Sequence, residues 1–202
     1  MERKSIIVPA VEGFANIEKF AQGEIDEVNW AEYSYKPVVR FAVAHTADAL
    51  LVRFDVEEQH IVGRCTQMHG EVYADSCVEF FVREPQADHY YNFEINCIGT
   101  ALAARRLSRN EYDYLPAEQM QRIKVRPSLP DAIPFEGEGK WSIELEIPFS
   151  VIGINGTPTA LEGNFYKCGD QTPVPHFLSW SPIATPTPDF HRPESFGELL
   201  LR

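Results

Sequence analysis

The stretch YADSCVEFFVREPQADHYYNFEINCIGTALA, residues 73–103, decides the fold. It reads as two β-strands joined by a polar loop. In the first, Val78, Phe80 and Val82 alternate with Cys77, Glu79 and Phe81; in the second, Tyr91, Phe93 and Ile95 alternate with Asn92, Glu94 and Asn96. Successive strand side chains point to opposite faces, so pairing puts Glu79, Asn92, Glu94 and Asn96 on one face. Strands disfavour Asp, Asn and, less strongly, Glu, so this polar row suits a surface that hydrogen-bonds a polar ligand.

Outward from this hairpin the pattern is short strands with breakers, without long amphipathic helices. Residues 38–43 read as a strand, followed by a turn at 45–48. ALLVRFDV at 49–56 alternates Leu50, Val52 and Phe54 with Leu51, Arg53 and Asp55. Residues 100–107 continue as a strand or a helical turn, residues 121–126 read as a strand, and WSIELEI at 141–147 alternates almost strictly. The IPFSVIG segment at 147–153 opens a turn with one short helix, and residues 163–167 and 196–201 supply late strands. With 12 Gly and 15 Pro as punctuation, the expectation is an all-β, single-domain antiparallel β-sandwich over residues 1–202, with one or two short helical turns. Residues 1–22 read as an N-terminal arm. The proline-rich SWSPIATPTPDFHRP at 179–193 reads as a long ordered loop of the kind that carries function on a rigid scaffold.

The 202 residues are long enough to bury a core without covalent staples. A net charge of −12 argues against nucleic acid, whose recognition needs a cationic footprint, and against anionic membrane surfaces. No apolar run approaches the roughly 18 residues of a membrane span. Residues 6–8 form too short an apolar run for a signal peptide. That places the chain in the cytoplasm if it is complete, and outside the cytoplasm or in the periplasm if a leader has been removed. Cys65, Cys77, Cys97 and Cys168 lack CxxC spacing and read as free thiols. Alternation places Cys77 and Cys97 on opposite faces. The six histidines show neither HxH nor HExxH spacing, so no metal site is read from them. No nucleophile elbow or phosphate loop is legible.

At DSCVEFFV (75–82), YYNFEINCIGT (90–100), IPFSVIG (147–153), WSP (180–182) and PDFHRPESFGELLL (188–201) the chain resembles the family-nine carbohydrate-binding modules. More exactly placed, it resembles the family-nine-like, DOMON-related β-sandwich domains. The order of these motifs along the chain is the specific part. The resemblance implies a non-catalytic sandwich that holds a mono- or oligosaccharide between two aromatic rings, while polar side chains of one sheet grasp the hydroxyls. By position, Trp180 and Tyr73 are the implied platforms, and Glu79, Asn92, Glu94 and Asn96 the polar groups, with His176, His191, Arg105 and Arg106 on the rim. The resemblance also implies structural calcium, although no dense Asp/Asn loop matches one; otherwise no cofactor is expected. The expected partner is a carbohydrate, and the chain a monomer or weak homodimer through exposed sheet edges.

Each candidate also has a plainer reading. Trp180 also suits a plug for one end of the sandwich, and Trp141 and Trp30 read as structural. Glu79 and Glu94 on facing strands fit sugar binding, a buried structural network, or a glycoside-active pair. Arg105 and Arg106 alternate faces, so one of them is placed to neutralise the polar face. An accessory domain that binds a protein partner and no sugar is the third class.

Overall fold

The computed structural model describes residues 3–129 and 134–202, arranged as two facing β-sheets. The strands are β1 (Ser5–Val8), β2 (Ala21–Glu24), β3 (Glu27–Val28), β4 (Val38–His45), β5 (Ala49–Gly63), β6 (Cys77–Arg83) and β7 (Tyr90–Asn96). They continue with β8 (Ala101–Arg106), β9 (Tyr112–Tyr114), β10 (Lys124–Pro127), β11 (Phe135–Pro148), β12 (Ala160–Cys168), β13 (Phe177–Ser179) and β14 (Gly197–Leu201). The larger sheet runs β1-β14-β12-β6-β7-β8-β9, with β13 and β3 attached beside β12; the smaller runs β10-β11-β5-β4-β2. All pairings between these strands are antiparallel except β1 with β14. Short helical turns at Val72–Ala74, Phe149–Ile152 and Pro193–Ser195 link strands.

The core lies between the sheets and follows the period of two. Leu50, Val52, Phe54 and Val56 of β5 and Trp141, Ile143, Leu145 and Ile147 of β11 face inward from the smaller sheet. They meet Val78, Phe80 and Val82 of β6 and Tyr91, Phe93 and Ile95 of β7. At the centre, Phe165 stacks on Phe41 and Phe80 with centroid separations of 3.8 and 4.8 Å. Burial of each such side chain contributes about 1.5–3 kcal/mol. Of the expected arm over residues 1–22, residues 1–2 lie outside the described residues and the rest is woven into the body, since β1 extends the larger sheet and β2 the smaller.

Unlike an ordinary sandwich sheet, the larger sheet is covered on both sides. A second apolar cluster, including Trp30, Phe81, Tyr90, Tyr166, Phe190 and Phe196, packs on its outer face. The residues between β13 and β14 drape over that face: Tyr166 stacks on Phe190 at 4.3 Å and Trp30 Nε1 donates to the Thr185 carbonyl. This cover turns the polar row of β6 and β7 from a solvent face into a buried one.

Candidate functional site

Strand register builds the site floor. Glu79 of β6 is directly opposite Glu94 of β7, so alternation on both strands aims the two carboxyls at the same outer face. Both are only 4% exposed. The Cys168 thiol donates to Glu79 Oε1 at 3.1 Å, and Asn92 Nδ2 donates to Glu94 Oε1 at 2.7 Å. Arg106 Nε donates to Asn92 Oδ1 at 2.7 Å, which makes Asn92 a bridge between the guanidinium and the carboxylate. Glu94 Oε2 is buried without a hydrogen-bond partner.

These groups open into a cavity of about 330 Å³. Its walls come from four places. Tyr73 stands on the turn before β6, and Asp170 follows β12. The β8–β9 hairpin supplies Arg109, Asn110, Tyr112 and Tyr114. The loop before β14 supplies Asp189, Phe190 and His191. Tyr112 and Tyr114 are 42% and 44% exposed, and the Arg106 guanidinium lies 4.1 Å from the Tyr112 ring centroid. Tyr114 stacks on His69 at 4.5 Å. The hairpin therefore presents two aromatic rings at the mouth above a polar floor.

Burial dominates the electrostatics. It raises Glu94 from its usual 4.5 to about 7, against the opposing pull of Arg106 and the Asn92 amide. Glu79 is pushed up by burial first and by the charge of Glu94 second. Burial likewise raises Asp170 to about 6 and Tyr73 to about 12. His191 falls to about 3 through burial and the nearby arginines, so its ring is neutral where Nδ1 and the Tyr90 hydroxyl share a 2.9 Å hydrogen bond.

The structure brings Tyr73, Glu79, Glu94, Arg106 and His191 together around this cavity. Asn92 stands behind them, fully buried, as a positioning group. Four other residues are placed elsewhere. Trp180 is not a platform. It lies in the inter-sheet core at 6% exposure, edge-on to Phe41 and Phe165. The reason is an unrecognised strand: β13 pairs with β12 and Trp180 N donates to the Phe165 carbonyl, so alternation sends Leu178 and Trp180 inward and Phe177 outward into the cavity wall. Gly197 makes room for the ring, since a Cβ there would sit 2.5 Å from it.

His176 falls on the same inner side, buried against Lys167 and Glu58, and is no rim residue. Asn96 shares the face of Glu79 but is tied to Asp75 Oδ2, the Cys65 carbonyl and the Thr100 amide. It fastens the strand end and does not line the cavity. Arg105 points to the other face from Arg106, as alternation requires, and lies beside Tyr91.

Sequence reasoning missed Tyr112, Tyr114, Arg109, Asp170 and Phe190. The Tyr-Asp-Tyr alternation at 112–114 was the available signal for the first two. Asp170 and Phe190 sit in loops with no period to read. The four cysteines are free, with Cys77 on the outer side and Cys97 on the inner. Cys77 is directly opposite Cys168. Among the described residues, the metal-ligating side chains that converge are Cys77, Glu79 and Cys168, within 4.8 Å of one another. Two sulfurs form a soft donor set, which does not fit calcium. Among the described residues no helix is long and apolar enough to cross a membrane.

A comparison with curated proteins returns no match. Among solved structures, a Bacteroides uniformis protein assigned as carbohydrate-binding is 36% identical over 100% of both chains, with a TM-score of 0.92. A family 9 carbohydrate-binding module from Caldicellulosiruptor kristjanssonii, in complex with cellotriose, is similar in fold: 15% identity, TM-score 0.67, 98% of this chain and 94% of that one. One in complex with glucose gives 16%, 0.60, 98% and 96%. The model of carbohydrate-binding family 9 matches residues 10–201, and with the full-length 36% identity it follows that the chain belongs to that family.

Proposed function

We propose that the chain is a non-catalytic carbohydrate-binding domain whose ligand enters the cavity above Glu79 and Glu94. The observation that carries this reading is the combination of a buried, unpartnered Glu94 oxygen at the floor and two exposed tyrosine rings at the mouth. A sugar hydroxyl donates to the first, and a pyranose C–H face packs on the second. The cavity volume suits one or two sugar residues. The cellotriose and glucose complexes of family members support the same ligand class.

Catalysis is the second reading, because the two carboxyls stand on directly opposite residues of paired strands, and a pair of closely spaced carboxyls is what retaining glycosidases use. Burial works against it. Acid and nucleophile need pKa values driven apart, whereas here both carboxyls shift upward together. Calorimetric titration with mono- and oligosaccharides tests the proposal. Binding that weakens in Tyr114→Ala, with no release of sugar over prolonged incubation, is the expected result. Absence of binding to every sugar would overturn it, and turnover lost in Glu79→Gln would establish the enzyme instead.

A further inference from the structure

The charges of the cavity do not balance. Asp189 is taken up by Arg192 at 2.8 Å and by Arg109 at 3.7 Å. Among the described lining residues that leaves Glu79, Glu94 and Asp170 facing Arg106, which is itself committed to the Asn92 side chain and the Arg109 carbonyl, and the exposed Arg109, which is shared between Asp189 and Asp170, so acids still outnumber guanidinium groups. His191 adds no charge, being neutral against the Tyr90 hydroxyl. The Cys168 thiol and the Tyr73 phenol are also neutral, both pushed upward by burial. The floor thus holds an excess of acceptors and a buried carboxylate oxygen with nothing donating to it. A neutral sugar hydroxyl satisfies the hydrogen bond but leaves the charge; an ammonium group satisfies both, in a site where the low local dielectric strengthens the attraction.

Resting on the carbohydrate reading above, we propose that the preferred ligand is an amino sugar, its free ammonium seated between Glu79, Glu94 and Asp170 with the ring against Tyr112 and Tyr114. Burial and mutual repulsion push both carboxyls up against the opposing pull of Arg106, so near pH 7 bound protons offset part, but not all, of the pair's negative charge. An incoming ammonium reverses that balance, so uptake of the cationic ligand releases a proton that a neutral sugar does not displace.

Calorimetry at pH 7 tests this with glucosamine, galactosamine and mannosamine, each against its neutral parent hexose and its N-acetyl derivative. At least one amino sugar is expected to bind ~10-fold or more tighter than both controls, as one additional desolvated charge contact implies. Its binding heat is expected to differ between two buffers of different ionisation enthalpy, reporting the released proton. In Glu94→Gln and, independently, in Asp170→Asn, each first shown folded by thermal melting, the ratio of amino sugar to parent affinity falls towards one. Equal binding of amino and neutral sugars, or tighter binding of the N-acetyl derivative, would overturn the inference and leave the carbohydrate reading standing. Failure of every sugar to bind would sink both.

Discussion

Lys167 and Cys168 are neighbours in β12, yet they end in two buried polar clusters of opposite design on the two sides of one sheet. On the inner side, Lys167 Nζ meets Glu58 Oε2 at 3.0 Å, His176 Nε2 at 2.7 Å and the Cys168 carbonyl at 2.8 Å. Trp141 Nε1 donates to Glu58 Oε1 at 2.7 Å, and the Lys167 and Glu58 side chains are both fully buried. On the outer side, Cys168 reaches Glu79, whose opposite number is another carboxyl, and the nearest guanidinium is spent on an amide. Both clusters bear the desolvation penalty of buried charge. The inner one offsets it internally with a cation and an anion. The outer one stays acidic beside a cavity. The inner network serves the fold, because Glu58 Oε2, though it accepts no hydrogen bond, has the Lys167 cation 3.0 Å away; the outer Glu94 Oε2 has neither and borders a cavity, which is why we place the ligand there.

The comparison breaks most sharply at Lys167. Lys167→Met strands the Glu58 carboxylate in the core, and thermal or urea unfolding should show a loss of about 3–5 kcal/mol. The outer pair should behave oppositely, Glu94→Gln being neutral or stabilising at pH 7.5 because it removes a charge that burial disfavours.

Trp180→Ala sharpens the same division of the sheet. Its ring fills the inner core, so the expected loss is about 3–5 kcal/mol of stability from the cavity left behind. Sugar affinity of the folded fraction should be nearly unchanged. A large affinity loss with intact stability would return this residue to the binding site.

The pH dependence separates the buried carboxyls from the buried histidines by sign. Glu94 is raised from 4.5 to about 7 on folding, so its contribution is fully present below about pH 4.5 and is lost as pH climbs through 7. Asp170, raised from 3.8 to about 6, adds in the same sense. The stability gained by Glu94→Gln relative to wild type should therefore grow between pH 4.5 and 7.5 by on the order of 2–3 kcal/mol in urea titrations. His176 runs the other way. Burial and the Lys167 charge lower it from 6.5 to about 3, so its contribution is present above pH 6.5 and is lost as pH falls through 3. His191 shares that acid-side sign from within the cavity wall.

The smallest effect belongs to the mouth. Tyr114→Ala on an exposed edge strand should leave unfolding within ~0.5 kcal/mol while weakening sugar binding by about 1 kcal/mol, a five- to tenfold rise in Kd.

By itself the sequence determined the sandwich and the polar face. Wherever an alternating run was long, as in β5–β7 and β11, the period of two named the inward residues, and Glu79, Asn92, Glu94 and Asn96 do share one side of the sheet. The order of motifs also led to the right family. Two things were decided only in three dimensions. Three-residue strands such as β9 and β13 give a pattern too short to stand out, so Tyr112 and Tyr114 and the inward turn of Trp180, expected in a loop as a platform, emerge only in the folded chain. Register and loop packing then divided the polar row. Asn96 was drawn into fastening a strand end, and Asp170 and Phe190 arrived from distant loops to enclose Glu79 and Glu94. Local alternation is a property of a few adjacent residues and is written in their order. Which polar group finds a partner depends on chain segments far apart in sequence, and only folding brings them together.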